Sequence, residues 1–259
     1  MLDHATALRT LQVNFPRLVD YKFLLQRTYR NTLRRPFEAD FRAIALLPKS
    51  DRDVYVDVGA NRGQSIDAIR MLHPACVIRS FEPNAELFVR LQWMYRDDPR
   101  VLPENVALGR EPGVATLYVP FYKGYMFDGL ASISEEHALG WLNAERIIGF
   151  DERHLTCRKM ECAIRTLDSY EMAPTFLKLD TQGSELDVLI GGERTLRQHQ
   201  PVIMCEAASE DHEASYLAPF GYKLYGFHGG RFVEGRPGDL NSFFLTDGHV
   251  ERLGPQAVA

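Results

Sequence analysis

The sequence predicts one α/β domain with a doubly wound, mostly parallel sheet of seven strands, preceded by a helical extension. Three observations carry this. From residue 54 onward short β-branched and aromatic runs alternate with longer amphipathic stretches, a glycine loop follows the first run, and a glycine-rich segment rather than a helix separates the last two runs. With 259 residues, 45% of them hydrophobic, the chain can bury a full core in such a domain.

The expected strands are 54–59, 77–83, 101–108, 176–180, 201–207, 222–227 and 241–246. Helices are expected at 64–72, 84–96 and 184–198, so the order β-α-β-α-β demands right-handed crossovers. HGGRFVEGRPGD, between the last two strands, favours an antiparallel hairpin at the sheet edge. Residues 1–50 read as a helical extension carrying Arg27, Arg30, Arg34 and Arg35, a cap or a homo-oligomer contact. Residues 51–250 form the main domain, with 121–156 as a lid insertion and 251–259 as a tail.

A net charge of −5 with signs well mixed suggests neither a nucleic-acid stripe nor a polybasic membrane patch, so small molecules are the expected partners. Cys76, Cys157, Cys162 and Cys205 do not spell a metal or redox motif and read as reduced thiols. No apolar run approaches the roughly 20 residues that span a bilayer, and MLDHATALRT lacks a secretory pattern. A cytoplasmic protein is expected.

The loop Asp57-Val58-Gly59-Ala60-Asn61-Arg62-Gly63 stands where a strand hands over to a helix, the nucleotide position of Rossmann-like folds. A dinucleotide fingerprint starting at Gly59 needs glycine at 61 and 64, where this chain has Asn61 and Gln64. A carboxylate at Asp57 disfavours a pyrophosphate and suits an ammonium group. S-adenosylmethionine, which has an ammonium, a sulfonium and no phosphate, fits better, with the N–H groups of Gly59 to Gly63 facing its carboxylate. Glu82, 19 residues past Gly63, is placed to take both ribose hydroxyls, and Pro83 ends its strand. Asn105 stands where an amide can meet the adenine edge.

VDVGANRGQ, SFEPN, NVALG and FLKLDTQGSELDVLIGG resemble, in order and spacing, the FkbM family of S-adenosylmethionine-dependent methyltransferases, over about residues 41–246. The resemblance implies a class I methyltransferase fold and O-methylation of a sugar or polyketide-type metabolite. Gln182 stands where many members have Glu.

Methyl transfer to a hydroxyl needs a positioned acceptor and a group to take its proton. Asp180, closing the fourth strand, is the first candidate, although Lys178 on the same face makes a buried structural pair equally available. Glu206 closes the next strand and can share a proton with Asp180. His228 lies at a sheet end beside glycines, and His154 in the lid is a weaker alternative. Glu185 reads equally as a helix cap, and no metal-ligand spacing is present. Carboxylates and amides above Asp180 would point to a sugar acceptor, clustered aromatics to a flat one. The competing functions are a nicotinamide-dependent oxidoreductase and a non-catalytic cofactor-binding scaffold.

Overall fold

The computed structural model describes residues 4–206 and 210–259. In chain order the elements are α1 (His4–Asn14), α2 (Pro16–Leu33), β1 (Val54–Val58), α3 (Gln64–Leu72), β2 (Val77–Phe81), α4 (Ala85–Met94), β3 (Val101–Glu104), β4 (Ala107–Leu108), β5 (Gly113–Tyr122) and β6 (Tyr125–Met126). They continue with α5 (Glu135–Gly140), β7 (Leu155–Arg165), β8 (Phe176–Leu179), α6 (Glu185–Ile190), α7 (Glu193–His199), β9 (Val202–Glu206), α8 (Ser215–Leu217), β10 (Tyr222–His228), β11 (Arg231–Glu234), β12 (Asn241–Thr246) and α9 (Asp247–Leu253). The chain divides into a smaller unit, residues 1–33 and 114–162, and a larger one, 34–113 and 163–259.

The larger unit is built on a sheet of order β11-β10-β12-β9-β8-β1-β2-β3. It is mixed and eight-stranded, which corrects the expected seven. β12 runs antiparallel to both β9 and β10, and the glycine-rich connection contributes the extra strand, β11, antiparallel to β10. Strand alternation sends Tyr55, Phe176, Met204 and Phe243 to one face and Val56, Leu177, Ile203 and Phe244 to the other, and each face is buried under its own apolar cluster. Residues 34–50, assigned from sequence to the N-terminal extension, lie in this unit and place Phe41 and Ile44 in the first cluster. Near the chain end, the N–H of Ala259 and the carbonyl of Ala257 bond Phe232 of β11.

Two expected elements are broken. The run 101–108 splits after Glu104, and β4 leaves the main sheet to pair in parallel with Ile164 and Arg165 of β7. The helix expected over 184–198 is cut at Gly191-Gly192, where the backbone packs so closely that a Cβ at Gly191 would stand 2.0 Å from the Gly109 carbonyl oxygen. Ala207, the expected last residue of the strand ending at Glu206, lies outside the described residues, as do residues 1–3 of the extension.

In the smaller unit, Val13, Val19, Tyr122, Tyr125, Phe127, Leu142 and Ile147 form a separate core. Tyr122 stacks on Phe150 at 5.1 Å between centroids, and its hydroxyl accepts from the Asp151 N–H at 2.9 Å. The segment 121–156 carries the ends of two long strands, β5 and β7, joined through β6 and α5. The sequence reading took it for a lid insertion.

Candidate functional site

At the carboxyl ends of the parallel strands, register puts the ionisable residues in rows. β1 and β8 pair Asp57 with Lys178, and β8 and β9 pair Leu179 with Cys205, so that Asp180 and Glu206 follow side by side. Glu206 is in turn opposite Asn241 of β12. Period two then places Asp57, Lys178, Asp180 and Glu206 on one face.

Lys178 is buried, and its ammonium lies 3.4 Å from Asp57 Oδ1 and 3.1 Å from Asp180 Oδ2 while donating to the Gly59 carbonyl at 3.2 Å. Burial opposes its charge, but the two carboxylates overcome this and raise its pKa. The buried pair foreseen at Lys178 and Asp180 is therefore a trio that includes Asp57. Asp57 is wholly buried, with Oδ2 accepting from the Ser65 hydroxyl at 2.7 Å. Its carboxylate braces the underside of the loop and does not present itself at the mouth, where an ammonium ligand was expected.

The loop over this trio is held from every side. Gly59 has φ +80°, and a Cβ there would fall 1.7 Å from the Asp180 carbonyl oxygen, so no other residue fits. Gly59 and Ala60 donate to the Phe81 carbonyl, Asn61 donates to Glu82 Oε2 at 2.7 Å, and Gly63 donates to the Ala60 carbonyl. These four N–H groups, proposed from sequence as donors to a carboxylate ligand, are thus engaged within the fold. Gly63, also left-handed, opens α3, and the Tyr95 hydroxyl lies 2.9 Å from its carbonyl.

Glu82 is buried, and its two oxygens accept from the N–H groups of Asn61 and Asn84, which ties the first loop to the turn after β2. Pro83 beside it is half-buried. The exposed Asn105 donates its amide to the carbonyls of Glu82 and Pro83 at 2.8 and 3.0 Å, so that group fixes the turn. Among the described residues, Asn61 Oδ1 is buried with no hydrogen-bond partner.

Asp180 and Glu206 hydrogen-bond each other, and the Gln182 amide bridges them at 3.1 and 3.0 Å. Burial raises the Asp180 pKa, but Lys178 and the bond from Glu206 outweigh it and hold the carboxyl below the usual range. Glu206 is pushed up to about 8, first by that bond and then by burial and the Asp180 charge. The two carboxyls share one proton near neutrality.

Sequence reasoning missed Glu38, Asp40 and Asn241. The Asn241 amide donates to Glu38 Oε2 at 2.9 Å, and its backbone N–H donates to Asp40 at 3.1 Å. Burial raises the Glu38 carboxyl, and Asp180 adds to the shift. Only the strand start at Asn241 offered a sequence signal, since residues 38–40 stand outside the βα alternation. Glu185, the first residue of α6, accepts from the N–H groups of Thr181 and Gly183 and so closes the loop before the helix, whose cap position is Ser184. His228 stands at a sheet end as expected, but on β10, two strands from β9, which is roughly 10 Å. Its Nε2 lies 3.0 Å from the Pro237 carbonyl and so donates there, outside the carboxyl pair. His154 ends a 3-10 turn in the smaller unit. Among the described residues no group of three or more His, Cys, Asp or Glu is arranged to hold a metal ion.

A mixed sheet of this order, with a glycine turn after β1 and an acid after β2, is a methyltransferase-like α/β fold. The model of the methyltransferase FkbM domain matches residues 57–224. The chain belongs to the FkbM methyltransferase family. Among solved structures it is similar to the FkbM methyltransferase of Methylobacillus flagellatus KT, with 20% identity, a TM-score of 0.52, and coverage of 80% of this chain and 48% of that one. The chain thus spans about half the length of that protein. Looser likeness is found to a precorrin-6y C5,15-methyltransferase of Geobacter metallireducens GS-15 (16% identity, TM-score 0.38, 78% and 84% covered). An rRNA methylase of Streptococcus thermophilus is comparable (10%, 0.40, 82% and 96%). No protein of curated function matches. The nicotinamide-dependent oxidoreductase finds no support in these likenesses. No helix among the described residues is long and apolar enough to cross a membrane.

Proposed function

We propose that this chain is an S-adenosylmethionine-dependent methyltransferase that methylates a hydroxyl of a small polyhydroxylated acceptor, a sugar before a polyketide-type metabolite. The observation that carries the proposal is the carboxyl pair Asp180–Glu206, one proton between them, standing directly beside a glycine loop packed onto Asp180 itself.

The residues present suit the cofactor. Glu82 offers two oxygens at the ribose position, and the buried, unpartnered Asn61 Oδ1 asks for a donor there. When bound, S-adenosylmethionine supplies a methyl group on a sulfonium, an electrophile that needs little further activation. The protein's own contribution is to hold the acceptor in line and to remove its proton. Asp180, fixed by Lys178, orients the pair, and Glu206, titrating near 8, receives the proton once its own is gone. A role for His228 as base has no support in its position. Glu38, Gln182 and Asn241 surround the pair with carboxylate and amide groups, the lining suited to a saccharide.

Calorimetry with S-adenosylmethionine and with a nicotinamide dinucleotide tests the cofactor. Binding of the first alone is expected, and Glu82→Ala should weaken it by about 1–3 kcal/mol through lost hydrogen bonds to a charged group. Nicotinamide binding alone, or an unchanged affinity in the variant, would refute the assignment. Transfer of labelled methyl to polyketide-type acceptors and to no saccharide would refute the acceptor class.

A further inference from the structure

Residues 8–33 hold half of the sixteen large apolar side chains that are exposed among the described residues, each between 48% and 69% accessible. In α2 the spacing is regular. Val19 and Phe23 turn into the core of the smaller unit, while Tyr21, Leu25, Tyr29 and Leu33, four residues apart, stand exposed. Leu11 of α1 and Phe15, between the two helices, are exposed as well. Lys22 and Arg30 fall along one margin of the stripe at helical spacing.

The whole-chain charge conceals this segment. Residues 1–35 contain seven Lys and Arg against two Asp and Glu, a net +5, so the remaining 224 residues carry −10. Any attraction to an anionic surface must therefore come from these helices. A two-fold contact with a second copy would bring the same basic margins against each other. The helix is too polar to cross a bilayer, yet it has the one-sided apolar stripe and the basic margin of a segment that lies in a headgroup plane.

We propose that α1 and α2 dock this chain on an anionic lipid surface, lying in its plane with the stripe Tyr21–Leu25–Tyr29–Leu33 against the lipid. The composition, read as an average, pointed away from membranes. Its distribution along the chain points toward one. The docking is independent of the methyl transfer proposed above.

Flotation of the full chain with phosphatidylcholine vesicles, with and without about a third phosphatidylglycerol, tests it. Association with the anionic vesicles only, falling as salt is raised, is expected. Leu25→Asp with Tyr29→Asp should reduce the bound fraction about tenfold. Arg34→Gln with Arg35→Gln, at exposed positions just after the helix, should weaken binding several-fold while leaving the thermal midpoint unchanged. Failure to float, equal binding to neutral vesicles, or binding unaffected by the aspartates would overturn the proposal. So would sedimentation showing a dimer that the aspartates split, since a second copy would then cover the stripe.

Discussion

The two units bury their polar groups in different ways. In the larger one, charges are taken inside and paired across neighbouring strands, with Lys178 between Asp57 and Asp180 and with Glu206 bonded to Asp180. In the smaller one, the core is aromatic, and polar atoms enter it singly, as the Tyr122 hydroxyl does to reach the Asp151 N–H. An ionic core fixes residue identity as well as size, because a change leaves a charge unpartnered. An aromatic core fixes mainly shape and tolerates the loss of one polar atom.

The sharpest way to break this contrast is at Gly59. Gly59→Ala places a methyl group on the Asp180 carbonyl in a left-handed backbone, and about 4 kcal/mol or more of stability should be lost in urea unfolding, together with cofactor binding. A fully folded Gly59→Ala protein would show that the loop is less constrained than its geometry. Lys178→Met comes next, at about 3–5 kcal/mol, because it leaves two carboxylates facing each other in the interior. A neutral outcome would mean that the carboxyls take up protons once the ammonium is gone.

Glu206→Gln should change pH dependence more than stability itself. A carboxyl raised from 4.5 to about 8 binds its proton more tightly folded than unfolded. Its stabilisation is complete below 4.5 and fades as pH rises through about 8. The wild-type thermal midpoint should therefore carry a downward contribution across that window, which the amide removes. Methyl transfer should climb toward pH 8 in the wild type and lose that limb in the variant. Identical profiles would separate Glu206 from the chemistry. The smallest effect is expected in the aromatic core, where Tyr122→Phe forfeits one hydrogen bond, about 1 kcal/mol by thermal melting. A cost above that of Lys178→Met would invert the contrast.

The same difference decided what the sequence could reveal. The alternation of VYVDV and FLKLD exposes strand and face, while the neighbouring of Asp180 and Glu206 followed only from taking the strand order of class I methyltransferases, which the pairing of β8 with β9 matches. Spacing from the glycine loop located Glu82 correctly at the loop, although not its bonds to Asn61 and Asn84. Asp57 was misread in orientation, because a sequence says which face a residue occupies and not that Lys178 waits there to neutralise it. Glu38 and Asp40 were invisible, since they reach Asn241 across some 200 positions of chain and belong to no periodic element. In the smaller unit β5 and β7 escaped notice, β5 because it carries aromatics on both faces and β7 because it is largely polar and exposed.

The position of β12 has a consequence for how the sheet comes into being. It is the last strand to leave the ribosome, yet it occupies an interior slot between β9 and β10. Until residue 246 has emerged, a nascent chain holds two unfilled strand edges, each a template for pairing with a neighbour. Vectorial synthesis thus keeps this sheet open until its last strand arrives. Nonsense truncation upstream of Asn241 would yield an aggregating fragment rather than a smaller folded protein.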